Sequence, residues 1–196
     1  MGYVFIGVGI YLMSLIVVVY AMTAVLRLKK EENEGRAELL LDKQVSRIQW
    51  MSSHVIVAAL CSAALLLAMG IVGGLSYGLT SGDLSGDFWR ILGMSISKIP
   101  AVWSMLGITA LLYGLWPRIT ALGWIVWLAA VFLELAWEGQ IIDWAIMQLS
   151  PFSYAHYTIH VTEISLLPLA GLLCLSAILI GLGLFGFRNR DALTKA

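Results

Sequence analysis

Two long apolar runs near the start of the chain limit the folds that are open to it. The first covers residues 2–26 and the second covers residues 50–77. A helix of about 20 apolar residues crosses the hydrocarbon core of a bilayer, so each run predicts a transmembrane helix. The composition agrees, because 60% of the 196 residues are hydrophobic and only 12% are charged. We therefore expect an all-α polytopic membrane protein rather than a soluble domain.

The segment between these two runs, residues 27–49, is the only long polar stretch. It carries half of the chain's twelve basic residues. Read as a helix, it has an apolar face formed by Ala37, Leu41, Val45 and Ile48. An acidic face lies beside it, formed by Glu31, Glu34, Glu38 and Asp42. This pattern predicts an amphipathic helix at the membrane surface with a face for docking a partner. A solvated loop is the alternative that periodicity leaves open.

Three later apolar stretches predict further spans. They cover residues 100–116, 119–137 and 165–187. Phe88 to Ile99 mixes charged with apolar residues, which is typical of an amphipathic helix lying in the membrane interface. Residues 138–164 also mix polar and apolar residues, and we expect short helices at the outer interface there. The predicted architecture is five transmembrane helices, a cytoplasmic amphipathic helix and interfacial extracellular helices, all in a single transmembrane domain.

The positions of the basic residues predict the orientation. If segment 27–49 is inside the cell, then Arg118 and the C-terminal tail are inside too. All of the twelve lysines and arginines except Arg90 and Lys98 then face the cytoplasm, as the positive-inside rule expects. We expect the N-terminus outside and the C-terminus inside. The formal net charge of zero gives no indication of a nucleic-acid partner.

The polar segment also carries a family resemblance. Residues 31–54, EENEGRAELLLDKQVSRIQWMSSH, resemble the first cytoplasmic loop of type-2 ABC exporter permeases. The likeness is strongest to bacterial antibiotic or polyketide exporter permeases. It extends to IPAVWSMLGITALLYGLWPRITALGW (99–124), LSPFSYAHY (149–157) and the ending GFRNRDA (186–192). These stretches cover most of the chain in the family's order. Gln44 departs from the pattern, because the family usually has proline there.

The resemblance implies a permease subunit of an ATP-driven exporter in the bacterial cytoplasmic membrane. Such a subunit moves a hydrophobic or amphipathic, antibiotic-like compound out of the cell. The chain has no Gly-x-x-x-x-Gly-Lys-Ser/Thr motif, so we expect ATP and Mg²⁺ on a separate ABC ATPase subunit and no cofactor or catalytic residue here. Family halves have six helices, so five spans predict a C-terminal half lacking its first helix. A second permease half or a homodimer partner is then expected. The alternative is a non-transporting membrane scaffold that recruits a partner through segment 27–49.

The predicted site residues fall into three groups. The resemblance implies ATPase docking at Glu31, Glu34, Gly35, Arg36, Glu38, Leu39 and Leu40. Gly70, Gly74 and Gly78 recur every four residues and predict close helix packing, although membrane helices also tolerate glycine in general. Glu134 is the only acid well inside a predicted span. It lines a transport route if it faces the bundle, or reaches toward water if it does not.

Two further hypotheses, a metal site and a peptidase active site, have less support from the sequence. His156, His160 and Glu163 share one helical face and have metal-ligand spacing, but in an interfacial segment such residues more often meet water. Glu31-Glu32 with Arg36, and Phe152 with His156, match two motifs of CAAX-protease-like membrane peptidases. The predicted topology separates them by a hydrocarbon core about 30 Å thick, so we reject that reading. Cys61 and Cys174 both lie in apolar runs and are expected to be packing residues.

Overall fold

The computed structural model describes residues 2–34, 46–155 and 166–189. These residues are almost entirely helical and contain no strand, so the predicted all-α fold class is confirmed for the described part of the chain. The α-helices are α1 (Gly2–Asn33), α2 (Arg47–Ser81), α3 (Leu84–Ser97), α4 (Ile99–Leu115), α5 (Leu122–Glu138), α6 (Trp144–Met147) and α7 (Leu166–Asn189). Short 3₁₀ turns lie at Pro117–Ile119 and Ser153–Ala155.

Four stretches are long and apolar enough to cross a membrane. They are Ile6–Asn33, Arg47–Ser81, Leu84–Leu115 and Leu166–Asn189. The predicted span at residues 119–137 corresponds to α5, a helix of 17 residues. At 1.5 Å per residue it is about 25 Å long, which is less than a hydrocarbon core of about 30 Å. The described residues therefore contain four long candidate spans and one shorter apolar helix, where five full spans were predicted.

Helix α2 and the pair α3–α4 form one long antiparallel hairpin. Gly82 ends α2 with a φ of 82°, in the left-handed region that glycine adopts without strain. Asp83 then caps α3, because its carboxylate accepts a hydrogen bond from the Gly86 amide at 3.0 Å. The chain turns back on itself within these residues.

The close approach of α3 to α2 depends on glycine. A Cβ atom at Gly70 would lie 2.8 Å from the Ser95 Cβ, and one at Gly78 would lie 3.0 Å from the Leu84 Cα. Gly74 faces Phe88 in the same way. Residues 88–99, predicted to lie flat in the interface, instead run alongside α2. The polar residues suggested a surface helix, but the glycine face of α2 provides a groove for α3.

The remaining helices complete a bundle around α4. Helix α1 is antiparallel to α2, because Glu31 near its end lies beside His54 near the start of α2. Helix α7 runs parallel to α4, with Gly107 against Leu179 and Gly114 against Gly183. Helix α5 runs antiparallel to α4, since Gly123 near its start lies beside Thr109.

The described part of the predicted outer segment, residues 139–155, contains α6 and a 3₁₀ turn. Phe152 is fully buried and its ring meets that of Tyr11 edge-on, with the centroids 6.0 Å apart. The Ser97 hydroxyl also lies 3.4 Å from the Ala155 carbonyl oxygen, to which it donates a hydrogen bond. This segment therefore returns to the bundle and contacts α1 and the junction between α3 and α4.

Candidate coupling site and buried charge pair

The predicted docking residues that the structure describes lie at the end of α1. The backbone amide of Glu34 donates a helical hydrogen bond to the Lys30 carbonyl oxygen at 3.0 Å, so Glu34 closes the last turn of α1. The Glu34 carboxylate lies 3.9 Å from the Lys30 ammonium, and both side chains are exposed. Glu31 is half-buried, with its carboxylate 3.6 Å from His54 Nε2. The acidic residues at the end of α1 therefore face both solvent and the first turns of α2.

The other predicted docking residues lie outside the described residues. They are Gly35, Arg36, Glu38, Leu39 and Leu40. The possible metal ligands His156, His160 and Glu163 also lie outside them. Among the residues that the structure does describe, no three histidine, cysteine or acidic side chains are grouped in a way that suits a metal ion.

The chain leaves the polar segment through a capped helix start. The Ser46 hydroxyl accepts a hydrogen bond from the Gln49 amide at 3.2 Å, and the Gln49 side chain accepts one from the Ser46 amide at 3.1 Å. This reciprocal pair satisfies two amides that the first turn of a helix leaves without partners. The motif Ser-x-x-Gln in the sequence marks this helix start, so α2 begins at a defined residue just after the predicted docking segment.

The C-terminal end of the polar segment connects to the bundle through buried aromatic rings. Trp50, Tyr113 and Phe187 are 5%, 0% and 3% exposed, and we call these three residues the aromatic cluster. The rings of Tyr113 and Phe187 stack with centroids 5.4 Å apart, and those of Trp50 and Phe187 lie 6.0 Å apart. The cluster joins the start of α2 to the ends of α4 and α7. Sequence reasoning did not identify it, because the three rings come from distant parts of the chain.

Polar contacts connect the end of α1 to the same region of the bundle, near the aromatic cluster. The Tyr113 hydroxyl donates a hydrogen bond to the Glu32 carboxylate at 2.9 Å. The Lys29 ammonium donates one to the Thr120 hydroxyl, also at 2.9 Å. Glu32 and Lys29 lie in the last turns of α1, so this end of α1 is bonded to the end of α4 and to the turn that follows it. A displacement of the polar segment would therefore act on α1 and α4 at once.

Glu134 faces the interior of the bundle and not the lipid. It is 2% exposed, so the alternative in which it reaches toward water does not apply. Lys98 is also buried, with 3% of its surface exposed, and its positive charge is attracted by the Glu134 carboxylate. The Lys98 ammonium also lies 5.4 Å from the centroid of the Tyr11 ring. Two buried groups of opposite charge, Lys98 at the α3–α4 junction and Glu134 on α5, therefore attract each other, and the Lys98 ammonium also faces the Tyr11 ring of α1.

Lys98 is a site residue that sequence reasoning missed. Arg90 and Trp89 lie in the same stretch, residues 88–99, and are exposed. The mixture of charged and apolar residues therefore predicted a surface helix that included Lys98. The sequence does contain a signal, since Pro100 follows closely and marks a helix start in the middle of an apolar region. A lysine at such a break is carried inward when both flanking helices are buried.

Comparison with known proteins places the chain in a family. The family profile described as the C-terminal domain of the multidrug efflux system permease Rv1217c matches residues 1–188. The chain is 34% identical over 187 residues to the multidrug efflux system permease protein Rv1217c of Mycobacterium tuberculosis. The alignment covers 95% of this chain but only 34% of the relative, so the chain spans about a third of that protein's length. The predicted likeness to the C-terminal part of an exporter permease is thereby confirmed, and the chain belongs to the family defined by the C-terminal domain of the permease Rv1217c.

Proposed function

We propose that this chain is the membrane-embedded permease part of an ATP-driven bacterial exporter. A separate ABC ATPase subunit docks on segment 27–49, and a second permease half or a second copy of the chain completes the transport path. The exported compound is hydrophobic or amphipathic and antibiotic-like. The observation that carries the proposal is the family match over nearly the whole chain to an efflux permease domain.

The contacts at the ends of the polar segment support a coupling role. An ATPase can drive transport only if its two states make different contacts with the permease and thereby favour different packings of the helices. The end of α1 and the start of α2 are bonded to α4 and α7 through the aromatic cluster and the Tyr113–Glu32 hydrogen bond. A push on the described ends of segment 27–49 would therefore act on α1, α2, α4 and α7 together.

The transport path in this proposal includes Glu134. An acidic residue inside a membrane bundle is costly to bury, which is why such residues commonly lie on substrate or ion paths. The side chain comes from α5, is 2% exposed, and is attracted by the charge of Lys98 at the α3–α4 junction. A compound that crosses the bundle between α1, α4 and α5 would pass it.

Charge reversal on the docking surface tests the proposal. The double variant Glu34→Lys with Glu38→Lys is expected to lower association with the ATPase more than about tenfold, because like charges then face each other across the interface. Insertion into the membrane should be unchanged, since exposed substitutions usually alter stability by no more than about 0.5 kcal/mol. The measurements are co-purification with the ATPase and stimulation of ATP hydrolysis by a hydrophobic compound.

A matched control is Asp143→Lys, which reverses an exposed carboxylate at the opposite end of the bundle. It should leave association and stimulated hydrolysis at the level of the parent protein. Normal association of the Glu34 and Glu38 double variant would remove segment 27–49 as the docking surface. A parent complex whose ATP hydrolysis does not respond to any exported compound would instead favour the scaffold alternative.

A further inference from the structure

Lys98 lies at an unusual depth for a lysine. Ser95 donates a hydrogen bond from its hydroxyl to the Leu66 carbonyl oxygen at 2.5 Å, and the Trp103 indole donates one to the Ala59 carbonyl oxygen at 3.2 Å. The Lys98 backbone lies between these two contacts, about halfway along α2. A charged side chain there is unfavourable unless other groups compensate for the lost water.

The compensating groups around Lys98 are those of a cation-binding site. Glu134 supplies a buried negative charge, and the ring of Tyr11 lies 5.4 Å from the ammonium. A carboxylate combined with an aromatic face is the arrangement that binds organic cations in a site from which water is excluded. Phe152, which is fully buried, adds another ring that lies edge-on to the half-buried Tyr11. The site is built from α1, α5 and the α3–α4 junction, and its cation is a side chain of the protein itself.

We propose that Glu134 and Tyr11 form a binding site for lipophilic organic cations and that Lys98 occupies this site as a tethered competitor. Lys98 is then the residue that determines charge selectivity. With Lys98 in place the pair is electrically neutral, and the bundle favours uncharged compounds over lipophilic cations. Without Lys98 the carboxylate attracts a lipophilic cation, and without Glu134 the ammonium attracts a lipophilic anion. The proposal rests on the proposed function, because it assumes that these helices line the path of the exported compound.

Direct binding measurements on the purified membrane protein test the proposal without the ATPase or ATP. The probes are tetraphenylphosphonium, a lipophilic cation, and tetraphenylborate, an anion of the same shape. Lys98→Met keeps an unbranched side chain of similar length, and we expect it to bind tetraphenylphosphonium at least about tenfold more tightly than the parent, because a site that was almost always occupied becomes free. Glu134→Gln should gain affinity for tetraphenylborate by a similar factor. The double variant, which has neither charge, should bind both probes as the parent does.

The matched control is Arg90→Met, which removes one positive charge from an exposed position on the same hairpin. It should bind tetraphenylphosphonium as the parent does, and lipid nanodiscs without protein define the partition of each probe into the bilayer. Binding is measured at neutral and at alkaline pH, because an isolated buried carboxyl takes up a proton and then attracts no cation. If Lys98→Met does not elute as folded protein, the affinity of Glu134→Gln for tetraphenylborate decides whether the proposal stands.

An ordinary structural ion pair predicts a different result. Lys98→Met would then lose stability and bind tetraphenylphosphonium no better than Arg90→Met at either pH, and this outcome would overturn the proposal. A gain in binding by the double variant equal to that of Lys98→Met would overturn it too, because the effect would not depend on Glu134. If the variants bind the two probes as expected but the parent protein does not associate with the ATPase, the result counts against the proposed function alone.

Discussion

Tyr113 is the residue through which the end of α1 is bonded to the centre of the bundle. Its side chain is fully buried, its ring stacks on Phe187, and its hydroxyl donates to the Glu32 carboxylate at 2.9 Å. A hydrogen bond to a charged group is stronger than one between neutral groups, and it is stronger still where water is scarce. This single contact therefore links the predicted docking end of the protein to α4 and α7.

Substitution of Tyr113 tests that link at the residue scale. Tyr113→Phe keeps the ring and its stacking but removes the donor, and we expect the free energy of unfolding in detergent micelles to fall by about 1–3 kcal/mol. A double-mutant cycle with Glu32→Gln should give a coupling energy of about 1 kcal/mol or more between the two side chains. The control is Tyr154→Phe, an exposed tyrosine in the 3₁₀ turn, whose effect should be small. A coupling energy near zero would show that the hydrogen bond does not stabilise the bundle.

At the scale of elements, the contact between α4 and α7 determines how closely two parallel helices approach. Gly114 and Gly183 face each other with no room for a side chain between the backbones. A Cβ atom on Gly183 would lie 2.6 Å from the Ala110 carbonyl oxygen, which is backbone and cannot move aside. In a membrane the helices gain little from hydrophobic burial, so such close packing supplies much of their attraction.

Two glycines of α7 provide a matched comparison. Gly183→Ala is expected to push α7 away from α4 and to lower stability by about 1–3 kcal/mol, the usual cost of overpacking. Gly181→Ala should be neutral or stabilising by up to about 1 kcal/mol, because nothing lies within 4 Å of its Cβ position and alanine favours helix. Thermal unfolding of both variants in the same detergent checks the difference. Equal melting temperatures would mean that α4 and α7 do not pack as described.

At the scale of the whole molecule, the bundle collects most of the described basic residues at one end. The end of α1, the start of α2, the turn after α4 and the end of α7 meet there through Lys29, Trp50, Thr120 and Phe187. The basic residues at this end are Arg27, Lys29, Lys30, Arg47, Arg118 and Arg188. Asp83 and the exposed start of α3 lie at the other end. This separation of charge is what the positive-inside rule requires of a protein whose basic end faces the cytoplasm.

Labelling of single cysteines tests the orientation. Cys61 and Cys174 are first replaced by serine or alanine, and one cysteine is introduced at either Asn33 or Ser85, both of which are exposed. We expect a membrane-impermeant thiol reagent to modify the cysteine at position 85 in intact cells and the one at position 33 only after the cells are opened. Modification at position 33 in intact cells would reverse the predicted orientation and place the docking segment outside.

The sequence by itself determined that this chain is an all-α membrane protein with a charged segment between its first two apolar runs. These properties follow from the transfer of each side chain between water and hydrocarbon, which depends on local composition and length and not on distant neighbours. It also singled out Gly70, Gly74 and Gly78, which the structure places against α3, and Glu134, which the structure buries. The family likeness likewise came from short local motifs.

Only the tertiary structure decided which surfaces meet. Lys98 and Glu134 are far apart in the chain, as are Trp50, Tyr113 and Phe187, and no local pattern relates the members of either group. Residues 88–99 have the composition of a surface helix, yet they lie along α2 because its glycine face admits them. The physical reason is that helix pairing in a membrane depends on how closely two backbones approach and on which buried charges compensate each other, and both are properties of the assembled bundle.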